Sequence, residues 1–349
     1  MAEAMNEDTI EICLAANGRY FPGMFATAGS IALFATPSIT LSYNLLVSGV
    51  KTSDLEELSR AVLRLHPNSR FRSFDVDERE FDELAEWKGN KLAYARFLIG
   101  RLRPELEHVI YCDVDFLWLA DIADLWRMRR ADVSILAPHD PEIGMTEEYR
   151  VFERHGVRFD ESRYFCSGLL LMNLRRMREK DIVKRCLDVL RQDHSCLCAD
   201  QTALNLVIAD DDKMLLPARW MRFTRSIKDG RVTVPILLHY TFELSWLRPN
   251  KWDMLTDAVM LWFRILAAIR GETVWKALRR YFSPAKIVFA RILFLIMSTP
   301  IVSALFRLTL VACGKGVAYR SMLQWTRPFK IVLQDGRIAS VLRMDAGAT

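Results

Sequence analysis

The sequence predicts an α/β protein with a sheet of the Rossmann type, followed by a basic and apolar C-terminal region. Two observations predict this class. Short apolar runs that are typical of buried strands alternate with longer segments of helical periodicity over residues 10–257. In addition, 51% of the 349 residues are hydrophobic, which is enough for a sizeable core.

The first half of the alternation begins with the apolar strand 10–16, which Asn17-Gly18 breaks. Small apolar residues then favour a helix that packs on the sheet, and Thr52-Ser53-Asp54 is a typical helix start after the second strand. The predicted elements are the strands 10–16, 40–50 and 71–76 and the helices 20–35, 52–65 and 91–102.

The second half begins with the short strand 109–112, after which charge appears abruptly. Pro138 closes the strand 133–137, and we expect the polar stretch 138–163 to be a mobile loop. The remaining predicted elements are the helices 121–130, 176–192 and 199–208 and the strands 165–173 and 236–240.

Charge is divided unevenly along the chain. Residues 258–349 contain 14 Lys or Arg and 3 Asp or Glu, whereas residues 1–257 contain 34 and 40. The sequence therefore predicts two parts, which are an α/β domain over 10–257 and a basic, hydrophobic and helical region over 258–349.

The C-terminal region combines apolar clusters with basic residues. Its longest uncharged run, 292–306, has 15 residues and contains Pro300, whereas a membrane-spanning helix needs about 20 apolar residues. We therefore expect amphipathic helices that lie on an anionic membrane surface. The alternative is a helical subdomain packed on the sheet. Nucleic acid is not expected as a partner, because the basic residues of this region are interleaved with more aliphatic residues than a nucleic-acid-binding surface needs.

Cysteine usage and the N-terminus indicate a reducing compartment. The seven cysteines are odd in number, and no two have the spacing of a zinc pair. Residues 1–9 are polar, and the apolar run 10–14 is too short for a signal peptide. We expect free thiols and a cytoplasmic protein that is peripheral on the inner face of the cytoplasmic membrane.

Two carboxylates follow the predicted strand 109–112, in the segment Tyr111-Cys112-Asp113-Val114-Asp115. Burying a carboxylate without a partner is costly, and ligands of open α/β sheets collect at the carboxyl ends of strands. Asp113 and Asp115 can therefore offer oxygen ligands to Mg²⁺ or Mn²⁺, which would bridge phosphate oxygens. Taken alone, such a pair can equally be a solvated turn.

Three further motifs place polar residues beside apolar segments. Ser167 and Gly168 precede an aliphatic strand and allow close approach of a ligand, although the same step also suits an edge of the core. Asp200 and Gln201 precede an apolar helix, which Asp200 could simply cap. His239 ends a buried strand, where it is either an ordinary core residue or, with the two carboxylates, part of a Mn²⁺ site.

In this order and spacing, the four motifs resemble family 8 of the glycosyltransferases over about residues 10–252. That family includes bacterial lipopolysaccharide galactosyl- and glucosyltransferases and also glycogenin. The resemblance also rests on Ala15-Ala16-Asn17-x-x-Tyr20, which is like the family's Ala-Ala-Asp-x-x-Tyr, and on Tyr94-Ala95-Arg96. It implies a GT-A fold and retaining transfer of a hexose, glucose or galactose, from a UDP-sugar, with Mn²⁺ or Mg²⁺ as cofactor.

The resemblance also implies roles for individual residues. The uridine would contact Ala15, Asn17 and Tyr20, and the tyrosine would stack on the base. The metal would be bound by Asp113, Asp115 and His239. The donor sugar would be held by Arg96, Ser167, Gly168 and Asp200. The anomeric carbon would lie beside Gln201, so the candidate catalytic residues are Asp200 and Gln201.

Three departures from the family's pattern concern the donor site. Asn17 stands where the family usually has Asp, and Cys166 replaces the usual Asn. The family's diphosphate-binding Lys is absent from its expected place, where this chain has Ser245. We expect Arg248 or Lys251, in the same loop, to supply that charge.

The leading hypothesis is a membrane-peripheral glycosyltransferase that adds a hexose to a lipopolysaccharide or another glycolipid. One alternative keeps the chemistry but uses a protein or a soluble sugar as acceptor. A second alternative, suggested by the three departures, is a non-catalytic protein that binds nucleotide sugars through a degenerate site.

Overall fold

The computed structural model describes residues 9–86, 90–224, 231–233, 236–240, 255–297, 299, 301–302 and 330–332. The chain divides into two compact units. The first unit comprises Met1–Met24, Ala35–Val114 and Asp121–Met221, and the second comprises Phe25–Phe34, Asp115–Ala120 and Arg222–Thr349. The boundary expected between residues 257 and 258 stays a prediction.

The strands confirm the α/β class, and their bounds follow in chain order. They are β1 (Thr9–Asn17), β2 (Thr40–Ser48), β3 (Ser69–Asp75), β4 (His108–Cys112), β5 (Phe116–Leu119), β6 (Ile135–Pro138), β7 (Leu169–Asn173), β8 (Lys213–Leu216), β9 (Arg222–Phe223), β10 (Arg231–Thr233), β11 (Ile236–His239) and β12 (Lys330–Val332). The first unit contains a seven-stranded sheet with the order β3-β2-β1-β4-β7-β6-β8.

Strand direction decides which residues share an edge of this sheet. β1 runs parallel to β2 and β4, whereas β7 runs antiparallel to β4 and β6, so the sheet is mixed. In the pair of β4 and β7, Cys112 lies opposite Leu169. The residues that follow β4 and those that precede β7 therefore meet at one edge, which carries the candidate site.

Helices accompany the strands, and their bounds also follow in chain order. They are α1 (Phe21–Phe34), α2 (Thr52–Leu65), α3 (Ile99–Leu102), α4 (Ile122–Trp126), α5 (Tyr149–Arg154), α6 (Leu174–Glu179), α7 (Ile182–Gln192), α8 (Asp200–Val207), α9 (Asp257–Arg270), α10 (Val274–Arg279) and α11 (Pro284–Met297). In α7, Ile182, Cys186 and Leu190 recur every four residues and bury one face of the helix in the core.

Several segments of the first unit differ from the prediction. The helix expected over 91–102 is a 3₁₀ helix over Leu92–Phe97 followed by α3. The helix expected over 176–192 is interrupted at Asp181, whose φ of 51° is left-handed and ends the α6 geometry before α7 begins. The stretch 138–163, expected to be a loop, forms α5 and two short 3₁₀ turns. The strand expected over 165–173 begins only at Leu169, because the preceding residues form a turn.

The second unit contains a three-stranded sheet with the order β5-β11-β9, in which β11 is antiparallel to β5. Its helices α1 and α9 pack closely at Gly29, where a Cβ would lie 2.5 Å from the Ile269 side chain. None of the described helices is long and apolar enough to cross a membrane. Residues 303–329 and 333–349 of the predicted C-terminal region lie outside the described residues.

Candidate active site

The candidate active site lies where β4 ends and β7 begins. The strand is buried up to Cys112, and Asp113 is the first polar residue after it, with a side chain that is 30% exposed. The backbone N–H of Asp113 donates to the Gly168 carbonyl at 2.8 Å. The fold therefore brings the predicted Ser167-Gly168 step beside the first carboxylate of the Asp-x-Asp motif.

Arg96 connects the polar groups at this edge, although its own side chain is only 3% exposed. Its Nη2 donates to Asp113 Oδ1 at 2.9 Å, and its Nε lies 3.1 Å from Asp200 Oδ2. Its Nη1 donates to the Ser167 carbonyl. Burial is the largest influence on the pKa of Arg96 and lowers it, but the two carboxylates outweigh it and raise the pKa above its usual value.

Tyr111 completes the surroundings of Asp113. Its hydroxyl donates to Asp113 Oδ1 at 2.8 Å, and its ring lies under the guanidinium of Arg96, 4.3 Å from ring centre to Cζ. The sequence did not single out this tyrosine, because its place in an apolar strand is also that of an ordinary core residue.

Asp200 is the first residue of α8 and is 4% exposed. Its Oδ2 accepts a hydrogen bond from Ser167 Oγ at 2.9 Å, in addition to its ion pair with Arg96. Burial raises the pKa of Asp200 to about 6, which Arg96 opposes and Asp113 supports. The alternative in which Asp200 caps α8 is not what the structure shows, since Ala199 occupies the N-cap position without a side-chain bond.

Ala199 adopts φ 48° immediately before Asp200. A residue with a Cβ pays for this left-handed conformation, and such strain is concentrated where surrounding contacts fix a functional segment. The side chain of Gln201 makes two such contacts. Its Oε1 accepts from the Ser167 N–H at 2.9 Å, and its Nε2 donates to Asp140 Oδ2 at 2.9 Å.

Asp140 and Asn205 are functional candidates that the sequence prediction missed. Asp140 is 9% exposed and binds the Gln201 amide, and Asn205 bonds both backbone groups of Phe165. Asp140 follows a predicted strand just as Asp113 does, so the same argument from strand ends would have found it. Asn205 lies inside a helix, and no pattern in the sequence marks it.

The residues predicted to contact uridine lie at the end of β1. Ala15 and Tyr20 are half-buried, and the guanidinium of Arg19 lies 5.1 Å from the centre of the Tyr20 ring. Asn17 Oδ1 accepts from the N–H groups of Arg19 and Tyr20 at 3.2 and 3.3 Å. The side-chain amide nitrogen of Asn17 is therefore the group that remains to meet a base.

Asp115 and His239 pair in the second unit. His239 Nε2 lies 3.2 Å from Asp115 Oδ1, and the N–H of Tyr240 donates to the Asp115 carbonyl at 2.9 Å. The imidazole stacks between Phe116 and Phe223, with ring centres 4.1 and 5.0 Å away. The ring is held in one plane, and its Nδ1 is buried without a hydrogen-bond partner among the described residues.

The pair of Asp115 and His239 suits a divalent cation. Two ligands about 2.1 Å from an octahedral ion and at right angles lie about 3 Å apart, close to the 3.2 Å observed. Asp113 differs, since its Oδ1 already accepts from Arg96 and Tyr111. No group of three side chains arranged to hold a metal is found in the described part of the chain.

The two alternative candidates for the diphosphate-binding charge stay a prediction. Arg248 and Lys251 both lie outside the described residues, as does Ser245. Cys166, which departs from the family's pattern, is buried, and its N–H donates to the Pro138 carbonyl at 2.8 Å.

A comparison with known protein families identifies the family of this chain. The family model of glycosyl transferase family 8 matches residues 11–241, which are about two thirds of the chain. The chain belongs to this family. This membership confirms the resemblance drawn from the motifs and places the chain in a family of glycosyltransferases.

Relatives of known sequence are distant. General stress protein A of Bacillus subtilis is 27% identical over 178 residues, which are 49% of this chain and 59% of that protein. Glucoside xylosyltransferase 1 of Mus musculus is 28% identical over 167 residues, 40% of this chain and 39% of that protein. The chain therefore spans less than two thirds of the length of either relative.

Solved structures show the same fold. The bifunctional glycosyltransferase WbbM superposes with a TM-score of 0.65 at 18% identity, over 80% of this chain and 53% of that one. The galactosyltransferase LgtC, solved with donor and acceptor sugar analogues, gives 0.60 at 20% identity, over 75% of this chain and 95% of that one. A further LgtC structure carries a glutamine-to-glutamate change in its active site. The chain has a GT-A-like fold with a mixed sheet.

Proposed function

We propose that this family 8 glycosyltransferase transfers glucose or galactose, with retention, from a UDP-sugar. The observation that carries the proposal is the group of contacts around Arg96. One buried guanidinium joins Asp113, Asp200 and the Ser167 carbonyl at the carboxyl edge of the sheet, where α/β enzymes bind nucleotides.

The donor sugar would be held by Arg96, Ser167, Gly168 and Asp200, and the uridine by Ala15, Asn17 and Tyr20. The residues proposed to hold the sugar lie close together, because Arg96, Ser167 and Asp200 contact one another. The Gly168 carbonyl accepts from the neighbouring Asp113 N–H. The sugar hydroxyls would compete for the same hydrogen-bond donors and acceptors. These four residues would therefore determine which arrangement of sugar hydroxyls is accepted.

A divalent cation, Mn²⁺ or Mg²⁺, would be held by Asp113, Asp115 and His239. The 3.2 Å pair of Asp115 and His239 supports two of these ligands, and the single residue between Asp113 and Asp115 keeps the two carboxylates on one short segment. When bound, the cation would neutralise charge on the leaving diphosphate. Arg248 or Lys251 would add a positive charge from the loop outside the described residues.

The side chains proposed to lie beside the anomeric carbon favour front-face transfer. Gln201 is an amide and a poor nucleophile, and Asp200 is engaged by Arg96 and Ser167. The bond from the anomeric carbon to the phosphate oxygen would break as the acceptor oxygen bonds on the same face. The acceptor proton would pass to the departing phosphate oxygen, so no enzyme nucleophile takes part. A covalent sugar trapped on a side chain would contradict this step.

A panel of UDP-sugars tests the donor and the cation. We expect UDP release from UDP-glucose or UDP-galactose to require Mn²⁺ and to be abolished by Asp115→Ala. Asp124→Ala is a matched control, because Asp124 is an exposed carboxylate that only pairs with Arg127. UDP release that persists in Asp115→Ala would overturn the proposal. The absence of UDP release with every UDP-sugar tested would overturn it as well.

We propose further that the acceptor is a lipopolysaccharide or another glycolipid at an anionic membrane. The side chains that support this form one exposed apolar face of α11, and each is 48–52% exposed: Val288, Phe289, Ile292, Leu295 and Ile296. The segment 273–302 also contains five basic residues and no acidic ones. This combination is typical of helices that lie on an anionic membrane.

The neighbouring helix α9 has a different character. Leu261, Trp262, Phe263 and Leu266 are all buried, as the alternative of a packed helical subdomain expects. The membrane proposal therefore rests on α11 rather than on the whole C-terminal region.

Vesicle flotation tests the membrane proposal. Ile292→Asp should lower the partition coefficient onto phosphatidylglycerol vesicles by about 30-fold, because the Ile side chain contributes about 2 kcal/mol when buried in lipid. Val157→Asp is the control, since Val157 is 37% exposed and belongs to the first unit. If the wild-type protein does not bind these vesicles, the alternative of a protein or soluble acceptor gains support, and glycan analysis of a deletion strain would identify it.

A further inference from the structure

A buried carboxylate is hydrogen-bonded to the helix that begins with Asp200 and Gln201. Glu148 directly precedes α5, within the stretch 138–163, and has no exposed surface. Its Oε1 accepts from the Tyr164 hydroxyl at 3.0 Å and from the Thr202 hydroxyl. Its Oε2 is buried and has no hydrogen-bond partner among the described residues.

Both partners of Glu148 adjoin Gln201. Thr202 is the next residue in α8, and its hydroxyl also accepts from the N–H of Cys198 at 3.1 Å. That one hydroxyl therefore joins the loop before α8 to the buried carboxyl. Tyr164 is 2% exposed, and its pKa is raised well above the usual value by burial and by Glu148, whereas a hydrogen bond from the Gln201 side chain opposes the rise.

Burying the Glu148 carboxyl is unfavourable in free energy, which indicates that the residue has a role beyond packing. Burial raises the pKa of its carboxyl, because the hydrogen bonds from Thr202 and Tyr164 only partly compensate the loss of water. An apolar residue of similar volume would avoid this cost. Two residues before Gln201, the strained φ of Ala199 must be held by contacts of the same segment.

We propose that Glu148 is a positioning residue, which orients Asp200 and Gln201 by accepting hydrogen bonds from Thr202 and Tyr164. The role of Asp200 and Gln201 in sugar transfer rests on the proposed function, whereas the structural coupling to Glu148 does not. Glu148 itself contacts no reacting atom, so its effect reaches the reaction only through the first turn of α8.

Three variants separate hydrogen bonding from charge and from general stability. Glu148→Leu removes the acceptor at similar volume, and Glu148→Gln keeps an oxygen acceptor without a charge. Glu147→Leu is the matched control, because Glu147 is an exposed neighbour that pairs only with Arg150 at the surface. The measurements are amide hydrogen exchange over residues 199–205 and the kcat and KM of UDP-sugar hydrolysis.

In Glu148→Leu, exchange over 199–205 should be faster by about tenfold, as expected for the loss of a buried hydrogen-bond acceptor. Its kcat should fall by about tenfold or more while the donor KM changes by less than about threefold, because orientation and not binding is altered. Glu148→Gln and Glu147→Leu should remain within about threefold of the wild type in both measurements.

Two results would overturn the proposal. One is a folded Glu148→Leu protein with unchanged exchange and kcat, and the other is a Glu148→Gln protein as impaired as Glu148→Leu. If Glu148→Leu does not fold, the double variant Tyr164→Phe with Thr202→Val removes both donors, and unchanged exchange there refutes the coupling. A wild-type protein that hydrolyses no UDP-sugar refutes the proposed function instead, since the exchange experiment does not depend on turnover.

Discussion

Replacing Gly23 by alanine is expected to displace the segment that carries Asp113 and Asp115. Gly23 lies in the first turn of α1, and a Cβ there would be 2.3 Å from the carbonyl oxygen of Val114. Ordinary van der Waals contact begins at 3.4 Å, so the chain must move by about 1 Å. The obstructing atom belongs to the backbone and cannot rotate away, as a flexible side chain would.

A shift of that size has two consequences of known scale. Misplacing a catalytic group by about 1 Å lowers turnover by about 100-fold, and overpacking lowers the free energy of unfolding by about 1–3 kcal/mol. Because Val114 separates the two carboxylates proposed to bind the cation, the Mn²⁺ concentration for half-maximal activity should rise as well. The loss of turnover should therefore exceed what the loss of stability alone explains.

The assay is UDP release from the best UDP-sugar, titrated with Mn²⁺, beside chemical denaturation. Gly100→Ala is the matched control, because its Cβ would meet only the Leu174 side chain at 3.8 Å and Gly100 lies within α3. That change should leave turnover intact and stabilise the protein by up to about 1 kcal/mol. A folded Gly23→Ala protein with wild-type turnover and Mn²⁺ dependence would refute the reasoning.

Two other predictions concern Asp200 and His239. Burial raises the pKa of Asp200 from 3.8 to about 6, so its contribution to stability is full below about pH 4 and is lost as the pH rises through about 6, by about 3 kcal/mol in all. The free energy of unfolding of Asp200→Asn, measured in chelator, should therefore rise relative to that of the wild type between about pH 4 and pH 7. A difference between the two proteins that does not change with pH would contradict the raised pKa. His239→Ala should raise the Mn²⁺ concentration for half-maximal activity by at least about tenfold, whereas His108→Ala, which removes a ring bonded only to the Arg130 carbonyl, should not.

The sequence predicted the parts of the site that follow from strand ends. Asp113 lies at the edge of the sheet because it directly follows a buried strand. That the Ser167-Gly168 step and Asp200 join it there was implied by the family resemblance and not by strand ends. The direction of β7 was not predicted, since periodicity alone cannot distinguish a parallel from an antiparallel strand.

Other parts depend on tertiary contacts that no local pattern marks. Gly23 is one glycine in an apolar helix until its approach to the Val114 carbonyl is known. Glu148 is one carboxylate in a polar stretch, and its complete burial is known only once its contacts with Tyr164 and Thr202 are known. For both residues the decisive fact is a neighbour more than 50 positions away in the chain, which propensity and spacing do not report.

The charges at the edge of the sheet indicate why a cation and the donor should bind cooperatively. Arg96 is shared by Asp113 and Asp200, and Asp140 adds a third carboxylate, which accepts from the Gln201 amide and from the Glu142 N–H. These four ionisable groups remain net negative even when Asp200 is protonated, so a diphosphate placed beside them is repelled unless positive charge arrives with it. A bound divalent cation would reverse that repulsion for both ligands. By linkage, Mn²⁺ should then strengthen UDP binding by the same factor by which UDP strengthens Mn²⁺ binding, and calorimetric titrations in both orders measure the two factors. Equal affinities for UDP with and without Mn²⁺ would show that the counter-charge comes from the protein alone, with Arg248 or Lys251 as its source.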